Sequence, residues 1–329
     1  MRRALDLAER GRYSVSPNPM VGCVLVRDGE VIGEGFHLRA GEPHAEVKAI
    51  QSCDQPAGAT MYVSLEPCAH HGRTPPCADV VVSSGVRRVV VAMADPHDVV
   101  NGKGIERLRA SGIEVTSGVL EAEARQINEK FLYAVANERP FVLLKAGMTF
   151  DGKLATVERD SKWITSEASR QKSLALREEY DAIIVGGGTV SEDDPQLTRR
   201  LGWNRSITPW TRIVLDRDRV VPSTARVLMD GGNTVHVTDD VDLDAFLAEL
   251  YRRGIQSVIV EGGALLHAEF IRRRLWQKMI VFVAPMIVGG GDAPSIFAGE
   301  AVRRLTDAYR FRFDRVEMSG GDLMITAYP

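Results

Sequence analysis

Short apolar runs alternate along the whole chain with charged stretches of helical spacing, which predicts strands layered with helices. After an opening helix through about Gly11, Met20 to Arg27 reads as a strand. Asp28-Gly29 reads as a hairpin turn, and Val31 to Phe36 as the returning strand. Helical spacing follows over Pro43 to Ser52, then a strand over Thr60 to Glu66, a helix over Cys77 to Ser84 and a strand over Arg88 to Met93. A helix over Gly104 to Ser111 and a strand over Ile113 to Thr116 complete about five strands. Glu121 to Glu138 reads as one amphipathic helix, ended at Arg139-Pro140 because the residue before proline avoids the helical region. A domain boundary is expected there, giving residues 1–139 and 140–329.

Beyond the boundary, strands are expected over Phe141 to Met148, Ala182 to Val185, Arg212 to Leu215, Thr234 to Val237, Ser257 to Val260 and Met279 to Val288. Helices are expected over Glu167 to Glu179, Leu243 to Arg253 and Ala264 to Arg274. Tyr309 to Met318 and Leu323 to Tyr328 read as a closing antiparallel pair around Gly320-Gly321. No repeat or low-complexity tract interrupts this α/β order.

Composition narrows the picture. The 329 residues suffice for two cores. No apolar run reaches the roughly 18 residues of a membrane span, and the charged N-terminus lacks the apolar centre of a signal peptide. A formal charge of −3 argues against a generic polyanion binder, so neither nucleic acid nor membrane is an expected partner. The 4 cysteines are too few for a disulfide scaffold in a chain this long, which points to a reducing, cytoplasmic setting.

Two of those cysteines join a metal pattern. His44-Ala45-Glu46 starts a helix, Glu66-Pro67-Cys68 ends a strand and Cys77 opens the next helix. One imidazole and two thiolates give zinc three ligands and leave the fourth position for water, the mark of a catalytic site. Cys77 gains from the positive end of its helix dipole, which favours the thiolate. Glu46 follows His44 too closely to be an easy ligand, but is placed to shuttle a proton between water, a ring nitrogen and a departing amine. This His-x-Glu with Pro-Cys arrangement is the known zinc-deaminase signature. The plainer readings are a structural zinc completed by His70 or His71, or a core histidine with two buried thiols. Cys23 and Cys53 read as packing residues.

The eight-residue excursion between Cys68 and Cys77 departs from the usual Cys-x-x-Cys. With Ser16-Pro-Asn-Pro-Met-Val-Gly22, Asp95-Pro-His97 and Asn101-Gly-Lys-Gly104, it resembles the deaminase half of the bifunctional riboflavin-biosynthesis deaminase–reductase family. Lys145 to Lys153, Trp163-Ile-Thr-Ser166, Asp181 to Gly186 and Gly188 to Leu197 resemble its reductase half. That resemblance implies a cytidine-deaminase-like α/β/α layered domain followed by a dihydrofolate-reductase-like α/β domain, with self-association. It implies a phosphoribosylaminopyrimidine substrate, 2,5-diamino-6-(5-phosphoribosylamino)pyrimidin-4-one, deaminated with Zn2+ and then reduced with NADPH from ribosyl to ribityl. Matching positions imply that Asn18 holds the pyrimidine, with His37, His70, Arg73 and Asp95 along the substrate path. Arg73 stands where the family often has lysine, and His97 where asparagine is common. Read alone, Asn18 is equally a turn residue, Arg73 a solvated loop charge and Asp95-Pro96 a strand-ending turn.

No Gly-x-Gly-x-x-Gly follows a strand at the head of either half, so an ordinary Rossmann site is unsupported. Gly186-Gly-Gly188, Gly262-Gly263 and Gly289-Gly-Gly291 instead fall at strand ends, where backbone amides can approach a phosphate and where tight turns are equally served. The resemblance implies NADPH contacts at Gly147, Trp163, Thr189 and Asp193. It places the pyrophosphate along Gly263, Ala264, Leu265, Leu266, His267, Ala268 and Glu269. It also implies substrate contacts at Ser161, Arg177, Leu197, Arg200 and Glu261. Arg177 and Arg200 suit a bidentate phosphate clamp, or are ordinary surface charges. Trp163 serves equally as core or as cofactor shelf. Glu261, at the end of an apolar strand, requires a polar partner. Lys145 or Asp193 is the expected aid to proton movement. The competing reading keeps the zinc deaminase and makes the C-terminal half a non-catalytic ligand-binding module. A free cytidine, guanine or tRNA-adenosine deaminase fits the long Cys68–Cys77 loop less well.

Overall fold

The computed structural model describes residues 1–69, 76–95 and 102–329. Two compact units form, Met1–Arg139 with Trp203–Thr208, and Pro140–Gly202 with Pro209–Pro329. The division is not the single cut expected after Arg139. In the first unit Trp203 packs its ring 5.4 Å from that of Tyr13, and the Arg205 N–H donates to the Tyr13 carbonyl at 2.7 Å.

The first unit runs α1 (Arg2–Ala8), β1 (Gly22–Arg27), β2 (Glu30–Phe36), α2 (Ala45–Gln51), β3 (Thr60–Val63), α3 (Cys77–Ser83), β4 (Arg88–Val91), α4 (Lys103–Ala110), β5 (Glu114–Ser117), α5 (Glu121–Ile127) and α6 (Glu129–Asn137). Its sheet has the order β2-β1-β3-β4-β5. β1 pairs antiparallel with β2 and β3, and the other neighbours are parallel. The β1–β2 hairpin closes through Asp28 and Gly29, both at positive φ (53° and 84°), as the twist of a two-residue hairpin demands. Cys23, Leu25, Met61, Val63, Val89 and Val91 fill the core between sheet and helices.

The single helix expected over Glu121 to Glu138 is two helices, broken at Asn128. The cause lies elsewhere in the chain. Buried Asn128 accepts from the Met20 N–H at 2.8 Å and donates to the Met20 carbonyl at 2.9 Å. An asparagine side chain thus completes a backbone that has no strand partner there.

The second unit runs β6 (Phe141–Thr149), α7 (Glu167–Glu179), β7 (Ala182–Gly186), α8 (Gly187–Asp193), β8 (Thr211–Leu215), α9 (Arg226–Met229), β9 (Thr234–Val237), α10 (Leu243–Arg252), β10 (Ser257–Val260), α11 (Ala264–Arg272), β11 (Lys278–Ala284), β12 (Arg312–Ser319) and β13 (Asp322–Tyr328). The sheet order is β12-β13-β11-β6-β10-β7-β8-β9. From β11 to β9 every pairing is parallel, and β13 joins it to the antiparallel hairpin at one edge. The central strands β7 and β10 are buried on both faces, so they read as unbroken apolar runs. Each fully buried valine or isoleucine there contributes about 1.5–3 kcal/mol.

Two expectations are corrected here. β11 stops at Ala284 rather than Val288, because Pro285 has no N–H for the ladder. Gly187-Gly188, expected at a strand end to serve a phosphate or a tight turn, starts the helix α8. Among the described residues no helix is long and apolar enough to cross a membrane.

Candidate active site

His44 is the N-cap residue of α2, at φ −71° and ψ 169°, and Cys77 is the first residue of α3. Cys68 lies on the segment leaving β3. These elements bring the ligand atoms of His44, Cys68 and Cys77 within 4.8 Å of one another, the one such cluster among the described residues. His44 Nδ1 lies 3.1 Å from Cys77 Sγ and 3.8 Å from Cys68 Sγ, so Nδ1 is the nitrogen that faces the sulfurs. The Cys77 N–H points at Cys68 Sγ at 3.4 Å. Hydrogen bonding from Cys77 and His44 pulls the Cys68 thiol down to about 4, while the same contact pushes Cys77 up. Two cysteine sulfurs beside one imidazole are a donor set that suits zinc.

Glu46 sits in the first turn of α2, only 3% exposed. Burial pushes its carboxyl up to about 7, against the opposing pull of His44. Its Oε2 has no hydrogen-bond partner, a buried orphan acceptor on the helix that His44 caps. Buried polar atoms are rarely left so, and a small proton-bearing ligand would satisfy this one.

Next to the cluster, the ring of His37 packs edge-on 5.0 Å from that of His44. Its Nε2 lies 2.9 Å from Asn18 Nδ2, and its Nδ1 is 3.5 Å from the Pro43 carbonyl. Burial lowers His37 to about 4, so the ring is neutral, and the amide of Asn18 is its donor. Asp95 is buried just beyond β4. Asn18, His37 and Asp95 are therefore placed in the unit that carries the metal cluster, whereas His70 and Arg73 lie outside the described residues.

One residue beside the cluster carried no earlier assignment. Glu66 is buried, and its two oxygens accept four backbone N–H groups: Asp95 at 3.1 Å, Gly102 at 3.0 Å, Gly104 at 2.8 Å and Ile105 at 3.1 Å. The available signal was an acidic residue closing an apolar strand immediately before Pro67-Cys68.

In the second unit a cavity of about 1060 Å³ opens along the carboxyl ends of the parallel strands, where open α/β sheets bind ligands. Of the residues expected at NADPH, Gly147, Thr189, Asp193, Gly263, Ala264, Leu265, Leu266 and Glu269 line it, as do Ser161 and Glu261 from the substrate set. Gly263 caps the nine-residue α11, whose first N–H groups suit a pyrophosphate. The cavity also takes in Lys145, Asp216 to Asp218 after β8, and Asp239 and Asp240 after β9, which had not been assigned to the cofactor.

The other expected residues do not line this cavity. His267 is 1% exposed, its Nε2 is 3.3 Å from the Val260 carbonyl, and burial lowers it to about 4. Its neutral ring is packed in the interior and does not line the cavity. Ala268 does not line the cavity, because the helix turns it away from the opening that Gly263 to Leu266 and Glu269 share. Trp163 is 67% exposed outside the cavity, with the Arg170 guanidinium 4.6 Å above its ring. Leu197 is buried and its carbonyl accepts from the Trp210 indole at 2.9 Å, so its side chain is core. Arg200 is an exposed residue outside the cavity.

Arg177 is not a free clamp. Its Nε and Nη2 grip Glu261 at 2.8 and 3.0 Å, and Lys145 Nζ approaches the same carboxylate at 3.3 Å. Burial alone would raise Glu261, but Arg177 and Lys145 outweigh it and hold the carboxyl at about 2. Because the folded value lies below the ordinary 4.5, the stability it contributes is complete above about pH 4.5 and lost as pH falls towards about 2. Glu261→Gln is therefore expected to be less stable than the parent by at least about 1 kcal/mol at neutral pH. The gap should close across that acid window in denaturant titrations run at successive pH values. A gap independent of pH would contradict the assignment.

Comparison with known proteins adds the family. The cytidine and deoxycytidylate deaminase zinc-binding region matches residues 1–93, and the RibD C-terminal domain matches residues 140–325. The riboflavin biosynthesis protein RibD of Bacillus amyloliquefaciens is 39% identical over 100% of this chain and 95% of its own length. That of Aquifex aeolicus is 40% identical over 99% and 96%. Among solved structures, Acinetobacter baumannii RibD superposes with a TM-score of 0.91 at 38% identity, covering 100% of this chain and 97% of the other. A Thermotoga maritima diaminohydroxyphosphoribosylaminopyrimidine deaminase/5-amino-6-(5-phosphoribosylamino)uracil reductase gives 0.90 at 38%, with the same coverage. The first half is thus cytidine-deaminase-like and the second a reductase of the dihydrofolate-reductase-like kind, and the full-length match favours two activities over a lone deaminase. The chain belongs to the family of bifunctional riboflavin-biosynthesis proteins, which join a zinc-dependent deaminase to an NADPH-dependent reductase.

Proposed function

We propose that residues 1–139 deaminate 2,5-diamino-6-(5-phosphoribosylamino)pyrimidin-4-one and that residues 140–329 then reduce its ribosyl group to ribityl. The observation that carries the first step is the convergence of His44, Cys68 and Cys77 beside a buried carboxyl with a free oxygen. His44 Nδ1 and the two sulfurs would hold zinc. When bound, zinc supplies Lewis-acid activation of water at neutral pH. Glu46 takes a proton at Oε2 and returns it to the departing amine, a task suited to a buried carboxyl with an unpaired oxygen on the helix that His44 caps. Asn18, its amide oriented by His37, holds the pyrimidine edge, and Asp95 borders the path.

In the second half, the backbone of Gly263 to Leu266 would hold the pyrophosphate of NADPH, which supplies the hydride. Gly147 and Thr189 line the same cavity. Lys145, whose Nζ lies 3.3 Å from the Glu261 carboxylate, lines the same cavity and would steady the ribose hydroxyls. Four free cysteines suit a reducing compartment such as the cytoplasm.

A two-step assay tests the reading. Ammonia release from the diaminopyrimidine phosphate is expected to vanish on chelation and to return with zinc. NADPH oxidation, given the deaminated substrate, is expected to survive chelation. Ammonia release unaffected by complete metal removal, or no NADPH oxidation on the deaminated substrate, would overturn the corresponding half.

A further inference from the structure

The segment between β3 and the first thiolate is held by two kinds of contact. Glu66 leaves the strand with its own N–H on the Met93 carbonyl at 3.0 Å, and its buried carboxylate gathers the amides of Asp95, Gly102, Gly104 and Ile105. Gly104 and Ile105 belong to the first turn of α4, so the carboxylate also answers unpaired donors at a helix start. The same helix start also rests on the peptide that enters Cys68. A Cβ on Gly104 would collide with the Pro67 carbonyl oxygen, so only glycine lets the helix come this close. A carboxylate, a helix start and one peptide plane therefore share a single position. Cys68 follows it directly, and Asp95 hangs from the same oxygen as Gly102.

We propose that Glu66 is a positioning residue of the deaminase, setting Cys68 against His44 and Cys77 while fixing Asp95 at the edge of the same site. The proposal rests on the deaminase reading above. Four donors on one carboxylate cannot be matched by an amide of the same shape. A glutamine offers one accepting oxygen and turns its NH2 towards the other pair of N–H groups. Outer residues of this kind commonly account for 10–100-fold in metal affinity or activity.

The test uses the full chain loaded with zinc, as Glu66→Gln and Gly104→Ala. Both variants are expected to surrender zinc to a chromophoric chelator about 10–100-fold faster than the parent, with ammonia release falling in step. NADPH oxidation on the deaminated substrate should stay at the parent rate, because the second unit is untouched. Glu66→Asp, which keeps the charge on a shorter stem, should fall between parent and glutamine variant. Parent-like zinc release in Glu66→Gln and Gly104→Ala overturns the proposal. So does a parallel loss of both activities, which would make Glu66 a residue of general folding. A parent that holds no zinc and releases no ammonia sinks the deaminase reading itself, whereas an active parent with unaffected variants sinks only the role of Glu66.

Discussion

Glu46→Gln is expected to lower ammonia release by about 10²–10⁴-fold while zinc content and NADPH oxidation on the deaminated substrate stay at parent levels. The glutamine fills the same volume in the first turn of α2, so the 3% exposed site neither opens nor collapses. What disappears is the ability to take and return a proton. The metal cluster should persist because its three donor atoms come from His44, Cys68 and Cys77, with no contribution from the Glu46 carboxylate. Zinc stoichiometry, measured by atomic absorption on the purified variant, separates this from a ligand defect. A variant retaining more than a tenth of parental ammonia release would remove Glu46 from the proton path. A variant that lost its zinc would instead make it part of the metal site.

The second large effect concerns stability, in the other half. Arg212 lies on β8 with its side chain 2% exposed, and its two Nη atoms each meet an oxygen of Asp230 at 2.6 Å. Among the described residues its other hydrogen-bond partner is the Gln196 carbonyl, 2.8 Å from Nη1. Asp230→Ala would leave a guanidinium buried against one carbonyl, and removing one partner of such a pair costs about 3–5 kcal/mol. In a domain of this size that corresponds to a fall of roughly 10 °C in the melting of the second unit. The transition of the first unit, followed by loss of ammonia release on heating, should not move. The hydrogen bonds from Arg212 hold Asp230 at about 2, below its ordinary 3.8, so the pair's contribution is complete above about pH 3.8 and fades towards about pH 2. The double variant Arg212→Met, Asp230→Leu should recover most of the loss, since what harms the single variant is the stranded charge. A single variant melting with the parent would show that the pair is no more than a surface contact.

Local chemistry was enough for much of this protein. Strand and helix order followed from apolar period, the β1–β2 hairpin from Asp28-Gly29, and the metal cluster from two short motifs whose ligands lie at element ends. Such features are written by neighbouring residues, through turn geometry, helix starts and side-chain period, so a linear reading reaches them. Other features depended on partners distant in the chain. The break at Asn128 answers the backbone of Met20, and the pairing of Arg177 with Glu261 closes a clamp that looked open to phosphate. Gly187 and Gly188 argue by propensity against a helix, yet α8 starts at them. Arg212 opens one expected strand and Glu66 ends another, and only folding supplies their partners. Period and motif say which residue types stand in a neighbourhood. Which buried charge is neutralised, and by whom, is settled by desolvation in a packed interior, and that environment exists only once the chain has folded.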